Sequence, residues 1–427
     1  MQTTILKKRT LGLVALMSLS GAALALDSGY STSTGATNSL GLSPNSALDI
    51  GGYHPLSTGT FNPAAYKLGP IDLTPVMGIG YGYDDNVNLL QGAGQVGSMF
   101  TAYMPQLNAV LQQDTARYIA HFNAQLGRYA SASTYNYNDS DTGLEADNSW
   151  SSRLITRFKL DYAMGHDPAN AYVITNAPER WISPSAQFLV HYGAEDAIGQ
   201  GELEAGYSQH HYITDTATMN QFDMNIGQVA GRFFYRLAPK THWVTQLLYQ
   251  TNSFTTFPST GRSNIEYRAT TGVQWDATDK LSGRLMAGGM NTQMNQGNLA
   301  NNSGLAWDAN VTYKPLTYST FTLDGSRDYA QSFDPNSNFV VTQGANLAWT
   351  HEWTSRFRTI ANYFGYIDHY EGYYRVDERK GGGIKLSYSL NRWLRTGLQY
   401  QSQVRSSNVA GWSFTDNITM VTLEGSL

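Results

Sequence analysis

The residues with most chemical reach in this chain are arginines, carboxylates and histidines spaced by even numbers along short segments. Glu202 and Glu204, Glu266 and Arg268, and Arg232 and Arg236 share a face wherever those segments are extended, because side chains alternate across a strand. The same face carries Arg117, His121, Arg284, Arg358, Lys385 and Arg395 together with Asp308 and Asp324. Two kinds of chemistry fit such a mixed set. One is an internal lattice of ion pairs and hydrogen bonds that stiffens a wide polar interior. The other is the wall of a solute path, whose balance of charge sets selectivity. Both readings stand at this point, and they can coexist.

Catalytic and metal chemistry find less support. The sequence has no G-x-S-x-G elbow and no local Ser/His constellation, so no catalytic residue is assigned. His210 and His211 are adjacent and point to opposite faces of a strand, which disfavours joint ligation of a metal. His121 and His191 read as polar residues of the inner face. Asp84, Asp85 and the cluster from Asn138 to Asp141 place carboxylates in expected external loops, where a divalent cation would find oxygen ligands. Neither segment has the EF-hand arrangement, so solvated turns are favoured, and no metal or cofactor is expected.

Composition says what must position these residues. Charged residues are 14% of the chain, against roughly 25% in a soluble domain, so the usual charged exterior is lacking. Hydrophobic residues are 41%, yet the mean hydropathy is negative because Gly, Ser, Thr, Asn and Gln fill the remainder. One face in lipid and one in water suits that mixture. A net charge of -5 and the lack of a basic run beyond the N-terminus carry no nucleic-acid signature. At the N-terminus Lys7, Lys8 and Arg9 precede an apolar run from Leu11 to Leu19, and Ala23-Leu24-Ala25 supplies a small-residue cleavage site. This reads as a signal peptide over residues 1–25, too short for a membrane anchor of roughly 20 apolar residues. With no Cys, the chain lacks both a lipoprotein anchor and disulfides. Residues 26–68, rich in Ser, Thr, Gly, Asn and Pro, read as a flexible N-terminal segment, either a periplasmic lead-in or a stretch that enters the lumen, with the disordered lead-in favoured.

From Ile71 onward the pattern has period two. In Ile265 to Trp275 one face reads Ile265, Tyr267, Ala269, Thr271, Val273, Trp275 and the other Glu266, Arg268, Thr270, Gly272, Gln274. Leu305 to Tyr313, Ile71 to Tyr83 and Ala116 to Leu126 repeat it. Short turns at Leu237 to Lys240, Asp276 to Lys280, Lys314 to Thr317, Glu352 to Ser355 and Asn391 to Trp393 alternate with longer polar segments such as Asn291 to Asn302 and Ile367 to Tyr373. Short turns at one end and long loops at the other are the layout of outer-membrane barrels. Tyr83, Trp243, Tyr249, Trp275, Trp307, Tyr313, Trp349, Tyr363, Tyr388 and Tyr400 are placed at the ends of apolar faces, as an interfacial girdle. A first count of about 17 strands conflicts with the even number of single-chain barrels. Dividing Thr142 to His166 by a turn near Arg153 to Thr156 raises it to about 18. The last strand runs from Phe414 to Leu427. The expected fold is therefore all-β, a single transmembrane antiparallel up-and-down barrel over residues 69–427.

Three segments carry a family resemblance: GPIDLTPVMGIGYGYDDNVN from Gly69 to Asn88, YNYNDSDTG from Tyr135 to Gly143, and HYGAEDAIGQGELEAGYS from His191 to Ser208. In order and spacing they resemble the family named putative beta-barrel porin, outer-membrane proteins often found in exopolysaccharide and capsule biosynthesis clusters. The terminal Leu427 departs from the Phe or Trp usual at the end of such barrels. The resemblance implies a passive conduit for an exopolysaccharide or capsular polysaccharide, in contact with outer-membrane lipid and served by a periplasmic or inner-membrane export complex. The alternatives are a general diffusion porin for small hydrophilic solutes and, less favoured, an outer-membrane hydrolase.

Overall fold

The computed structural model describes residues 65–426 apart from 257–258, 279 and 297–300. The signal peptide expected at 1–25 and nearly all of the segment 26–68 lie outside the described residues. A short strand, β1 (Tyr66–Leu68), is followed by eighteen long ones. These are β2 (Ile71–Asp84), β3 (Ser98–Gln112), β4 (Ala116–Tyr129), β5 (Tyr137–Ser149), β6 (Leu154–Asp167) and β7 (Glu179–Tyr192). Next come β8 (Gly199–Tyr212), β9 (Met224–Ala238), β10 (Thr241–Phe254), β11 (Asn264–Thr278), β12 (Leu281–Met294) and β13 (Asn302–Leu316). The ring ends with β14 (Ser319–Gln331), β15 (Phe339–Glu352), β16 (Phe357–Glu371), β17 (Val376–Ser389), β18 (Leu394–Ser407) and β19 (Phe414–Ser426).

Each strand pairs antiparallel with its neighbour in the chain. β19 returns to β2, from Ile418↔Asp84 to Ser426↔Val76, and closes the barrel. Where β19 stops, β1 takes up the free edge of β2 through Tyr66↔Leu73 and Leu68↔Ile71. Gly69, at φ 59, makes that reversal, a conformation an L side chain adopts with difficulty. Among the described residues, closure gives each strand from β2 to β19 a partner on both sides, which a strand in lipid requires. The β3–β4 and β7–β8 ladders lapse near Pro105 and Pro184, which have no N–H to donate.

The two faces separate as the period-two pattern predicts. Met77, Ile79, Tyr81, Leu203, Phe233, Leu247, Leu305 and Leu423 are exposed on the outside, while their neighbours Glu204, Arg232, Gln246 and Thr422 are buried. An outside of large apolar side chains fits lipid and not water. Trp243, Tyr313, Trp353, Tyr388 and Trp393 gather near the turns, where a girdle belongs. Tyr249, Tyr363 and Tyr400 instead stand near mid-strand. The Tyr400 hydroxyl donates to Asn417 Oδ1 at 3.1 Å, and the Tyr249 ring packs on Tyr267 at 5.4 Å, so both find partners away from the interface.

Three boundaries differ from the sequence expectation. The turn dividing Thr142 to His166 lies at 150–153, just before the expected position, because Ser151 and Trp150 fold back on Leu154 through their backbone and hydroxyl groups. The long segments at Asn291 and Ile367 begin later: both strands run on, to Met294 and Glu371. The Asn138 to Asp141 cluster is not in a loop but in β5, paired with β4 from Asn138↔Leu126 to Asp141↔Asn123. Connections such as 239–240 and 317–318 form one end of the barrel together with both described termini. The loops 85–97, 168–178, 213–223 and 332–338, with residues 255–256 and 259–263, form the other.

Candidate functional site

The inner wall is built from crossed charges. Glu202 and Glu204 point inward from β8 two residues apart, and Arg232 of β9 stands opposite Glu202 in register. Its guanidinium donates to Glu202 Oε2 at 3.2 Å, to Glu204 Oε2 at 2.6 Å and to Gln246 Oε1 at 3.3 Å. His191 and Gln187 of β7 reach the same two carboxylates at 3.2 and 2.5 Å. Arg268 donates to Glu266 Oε1 at 2.8 Å and also meets Asp328 of β14. Arg284 pairs with Asp308, Arg358 with Glu352, and Asp324 accepts from Asn310. Lys385 Nζ lies 3.3 Å from Glu424 Oε1, and Arg395 binds the other oxygen. His121 Nε2 is 2.8 Å from Asp141 Oδ2 and 3.8 Å from Asp161. Arg117 faces Asp147 across β4 and β5, and Arg236 faces His242 across β9 and β10.

Sequence reasoning missed several partners in this lattice: Asp141, Asp147, Asp161, Asp328 and Glu424. The signal was present for two of them. Asp139, Asp141, Glu145 and Asp147 recur at even spacing, which is a strand face and not a loop.

At the loop end the interior changes character. Leu89 of loop 85–97, Ala171 and Tyr172 of loop 168–178, Phe222 of loop 213–223 and Phe333 of loop 332–338 are buried in one apolar cluster. A short helix α1 (Thr216–Met219) contributes Met219. Phe254 from β10 and Phe414 from β19 belong to the same cluster. On a ring running from β2 to β19 those strands stand on opposite walls. The cluster therefore spans the mouth, and Tyr212 and Phe222 within it are 0% exposed.

Three buried arginines tie the loops together. Arg262 donates to the carbonyls of Ser332, Asp334 and Ser337 at 3.2 to 3.3 Å and to Ser259 Oγ at 3.0 Å. Its guanidinium also lies over the rings of Phe254 and Phe222, 4.7 and 5.4 Å from their centroids. Arg405 reaches the carbonyls of Ala171 and Trp412 at 2.8 and 2.6 Å. Arg375 spans Asp377 and Asp334, at 2.5 and 2.9 Å, between the faces of Tyr370 and Trp412. Asn170, at φ 63, donates to the Asn88 carbonyl at 2.8 Å and joins loops 168–178 and 85–97.

The carboxylates of Asp84, Asp85 and Asp416 gather at the rim with oxygens within 4.8 Å of one another. Asp84 is the last residue of β2 and not a loop residue. Amide and hydroxyl donors from Asn86, Tyr129, Gln403 and Asn417 already serve these groups.

The sequence matches the family described as Putative beta-barrel porin 2 over residues 59–426. The chain belongs to this porin family. Among solved structures, this porin is similar to a BenF-like porin from Pseudomonas fluorescens Pf-5, at 8% identity and a TM-score of 0.47, with 84% of this chain and 100% of that one covered. It is also similar to OpdL of Pseudomonas aeruginosa, at 12% identity and a TM-score of 0.43, covering 83% and 98%. The siderophore receptor PirA from Acinetobacter baumannii gives 8%, 0.44, 85% and 81%. No curated protein matches the sequence. Membership places the porin in an outer membrane as a channel-type barrel.

The loop charges of the porin are tuned by burial. Burial pulls the Arg262 guanidinium down to about 10, and the Asp334 charge only partly offsets it. For Arg375 burial acts in the same direction, but the Asp377 and Asp334 carboxylates outweigh it and the pKa is raised. Burial raises Asp223, against the Tyr212 N–H at 2.8 Å and His211 at 2.5 Å. The chemistry these groups can perform is holding, releasing and selecting by charge.

Proposed function

We propose that the porin is a gated outer-membrane conduit for an exopolysaccharide or capsular polysaccharide, delivered from the periplasm by an export complex. A cleaved leader at residues 1–25 belongs to the same proposal, as does a solute path lined by the charged set from Arg117 to Arg395. The observation that carries the reading is the apolar cluster that joins opposite walls at the loop end. A barrel of eighteen strands is wide enough for an aqueous lumen, and an uncapped one would leak. A cap that must be displaced suits a cargo driven by machinery behind it better than solutes that arrive by diffusion.

Deletion of the gene tests this. Polymer should still be made, with secreted polymer falling and periplasmic polymer rising. Unchanged secretion in a strain with no redundant exporter would sink the reading. The general diffusion porin remains the second reading, and it requires the purified protein to show steady, high conductance in planar bilayers. A protein closed for most of the recording opposes that alternative.

A further inference from the structure

The turn end of the barrel differs sharply from the capped end. A cavity of about 420 Å³ opens there between the turns 353–356 and 390–393 and the inner faces of β16 and β18, within the size range of about 300–1,000 Å³ typical of small-ligand sites. Arg356 and Arg392 line it from the two exposed turns, and Arg358 and Arg395 from the strands. Glu352 is the one carboxylate among its described lining residues. Glu424, on the inner face of β19 beside the cavity, binds Arg395 and Lys385. Five cationic groups thus share two carboxylates. Ser387, 4% exposed, is packed into the cavity wall, and its buried hydroxyl has no hydrogen-bond partner among the described residues. The Ser389 N–H donates to the Arg356 carbonyl at 2.8 Å and fixes the two turns side by side.

We propose that this cavity is the entrance site for a carboxylate-bearing glycan. The chemistry is specific in three ways. Guanidinium groups present a planar fork that matches a carboxylate and stays charged at every working pH. A concave wall with excess positive charge concentrates polyanions and draws them in. Asn391 and Ser389, which also line the cavity, supply polar groups for sugar hydroxyls. Neutral polymers gain nothing from the charge, so the site selects uronic-acid-containing chains at the step of capture. This inference rests on the export reading for its direction of travel, but the site itself is a binding claim that can be measured alone.

The test is calorimetric titration of the purified full chain in detergent micelles with hexagalacturonate and, separately, with maltohexaose. Hexagalacturonate should bind with an affinity that falls as salt rises, and maltohexaose should not bind measurably. Arg356→Glu combined with Arg392→Glu should weaken hexagalacturonate roughly tenfold or more, whereas Glu352→Gln should strengthen it severalfold. All three substituted positions are exposed at the turns or the rim, and heat-modifiable migration on gels verifies that the barrels are folded. Should the double variant not fold, Arg392→Gln alone should still weaken binding. Equal binding of the two sugars, or an affinity indifferent to all these substitutions, would overturn the proposal. If hexagalacturonate binds as expected while gene deletion leaves secretion unchanged, the export reading fails and the anionic site stands. If deletion stops secretion and hexagalacturonate does not bind, the site fails alone.

Discussion

Replacing Arg262 by Ala should open the cap without dismantling the barrel. The side chain is 8% exposed and serves three carbonyls of loop 332–338, the Ser259 hydroxyl and two aromatic rings. A hydrogen bond to a charged group contributes about 1.5–3 kcal/mol, and a cation over a ring about 0.5–2 kcal/mol. Burial of the guanidinium offsets much of that gain, as its lowered pKa of about 10 records. The net loss on truncation, including carbonyls left dry, is about 3 kcal/mol. That corresponds to roughly a hundredfold shift from closed toward open. Single-channel recording should show open time rising by that order, and amide exchange of residues 332–338 should accelerate in parallel. Heat-modifiable migration should be unchanged, since the strand ladders do not involve Arg262. Wild-type closed times and unchanged exchange in a folded R262A protein would refute the reasoning.

Other perturbations probe the wall and the loops. A Cβ at Gly272 would run into the Leu285 carbonyl oxygen of the neighbouring strand, so Gly272→Val should cost about 3 kcal/mol or more and deplete the folded band on gels. Arg232→Ala takes the shared guanidinium from the buried Glu202 and Glu204 and should lower stability by about 3–5 kcal/mol, read as a lower denaturant midpoint; adding Glu202→Gln and Glu204→Gln should recover most of it. Burial raises the Asp223 pKa, so the folded loop holds that proton more tightly than the unfolded chain. Above the ordinary carboxylate value near about 4, the stability of loop 213–223 should fall as pH rises to the raised value. Asp223→Asn should abolish that slope in amide exchange of the loop.

What could be read in the sequence follows from how each contact is encoded. A strand between lipid and water imposes period two on consecutive residues, so Ile265 to Trp275 declares both of its faces unaided. The even strand number, with the added turn now located at 150–153, followed from the same local logic and parity. The cap obeys no such period. Arg405 meets the Ala171 carbonyl across 234 residues of chain, and Phe333 meets Tyr172 at 5.1 Å. Nothing in loops rich in Asn, Asp and Gly says that they fold inward. The mixed luminal charges were visible as a set, but their pairing needed the register, as with Arg232 between Glu202 and Glu204. Asn138 to Asp141 has the residue types of a turn, yet the even spacing of Asp139, Asp141, Glu145 and Asp147 marks the strand face that β5 presents.

The way the cap is fastened argues that it opens as a unit. Loop 332–338 is gripped twice: Arg262 takes its backbone carbonyls, and Arg375 takes Asp334 Oδ2 at 2.9 Å. Both arginines satisfy their donors only while that loop keeps one conformation, so partial displacement leaves buried charge unpaired. Within the loop, the Phe333 ring packs on Tyr172, Phe222 and His210 at 5.1 to 5.8 Å. Withdrawing Phe333 removes the centre of the cluster and loosens loops 168–178 and 213–223 together. Aliphatic packing alone would yield gradually, whereas arginine donors matched to fixed carbonyls make intermediate positions costly. On the proposed export function, a polymer end pressing from the lumen would meet two states, closed and open, with loop 332–338 the element whose movement separates them.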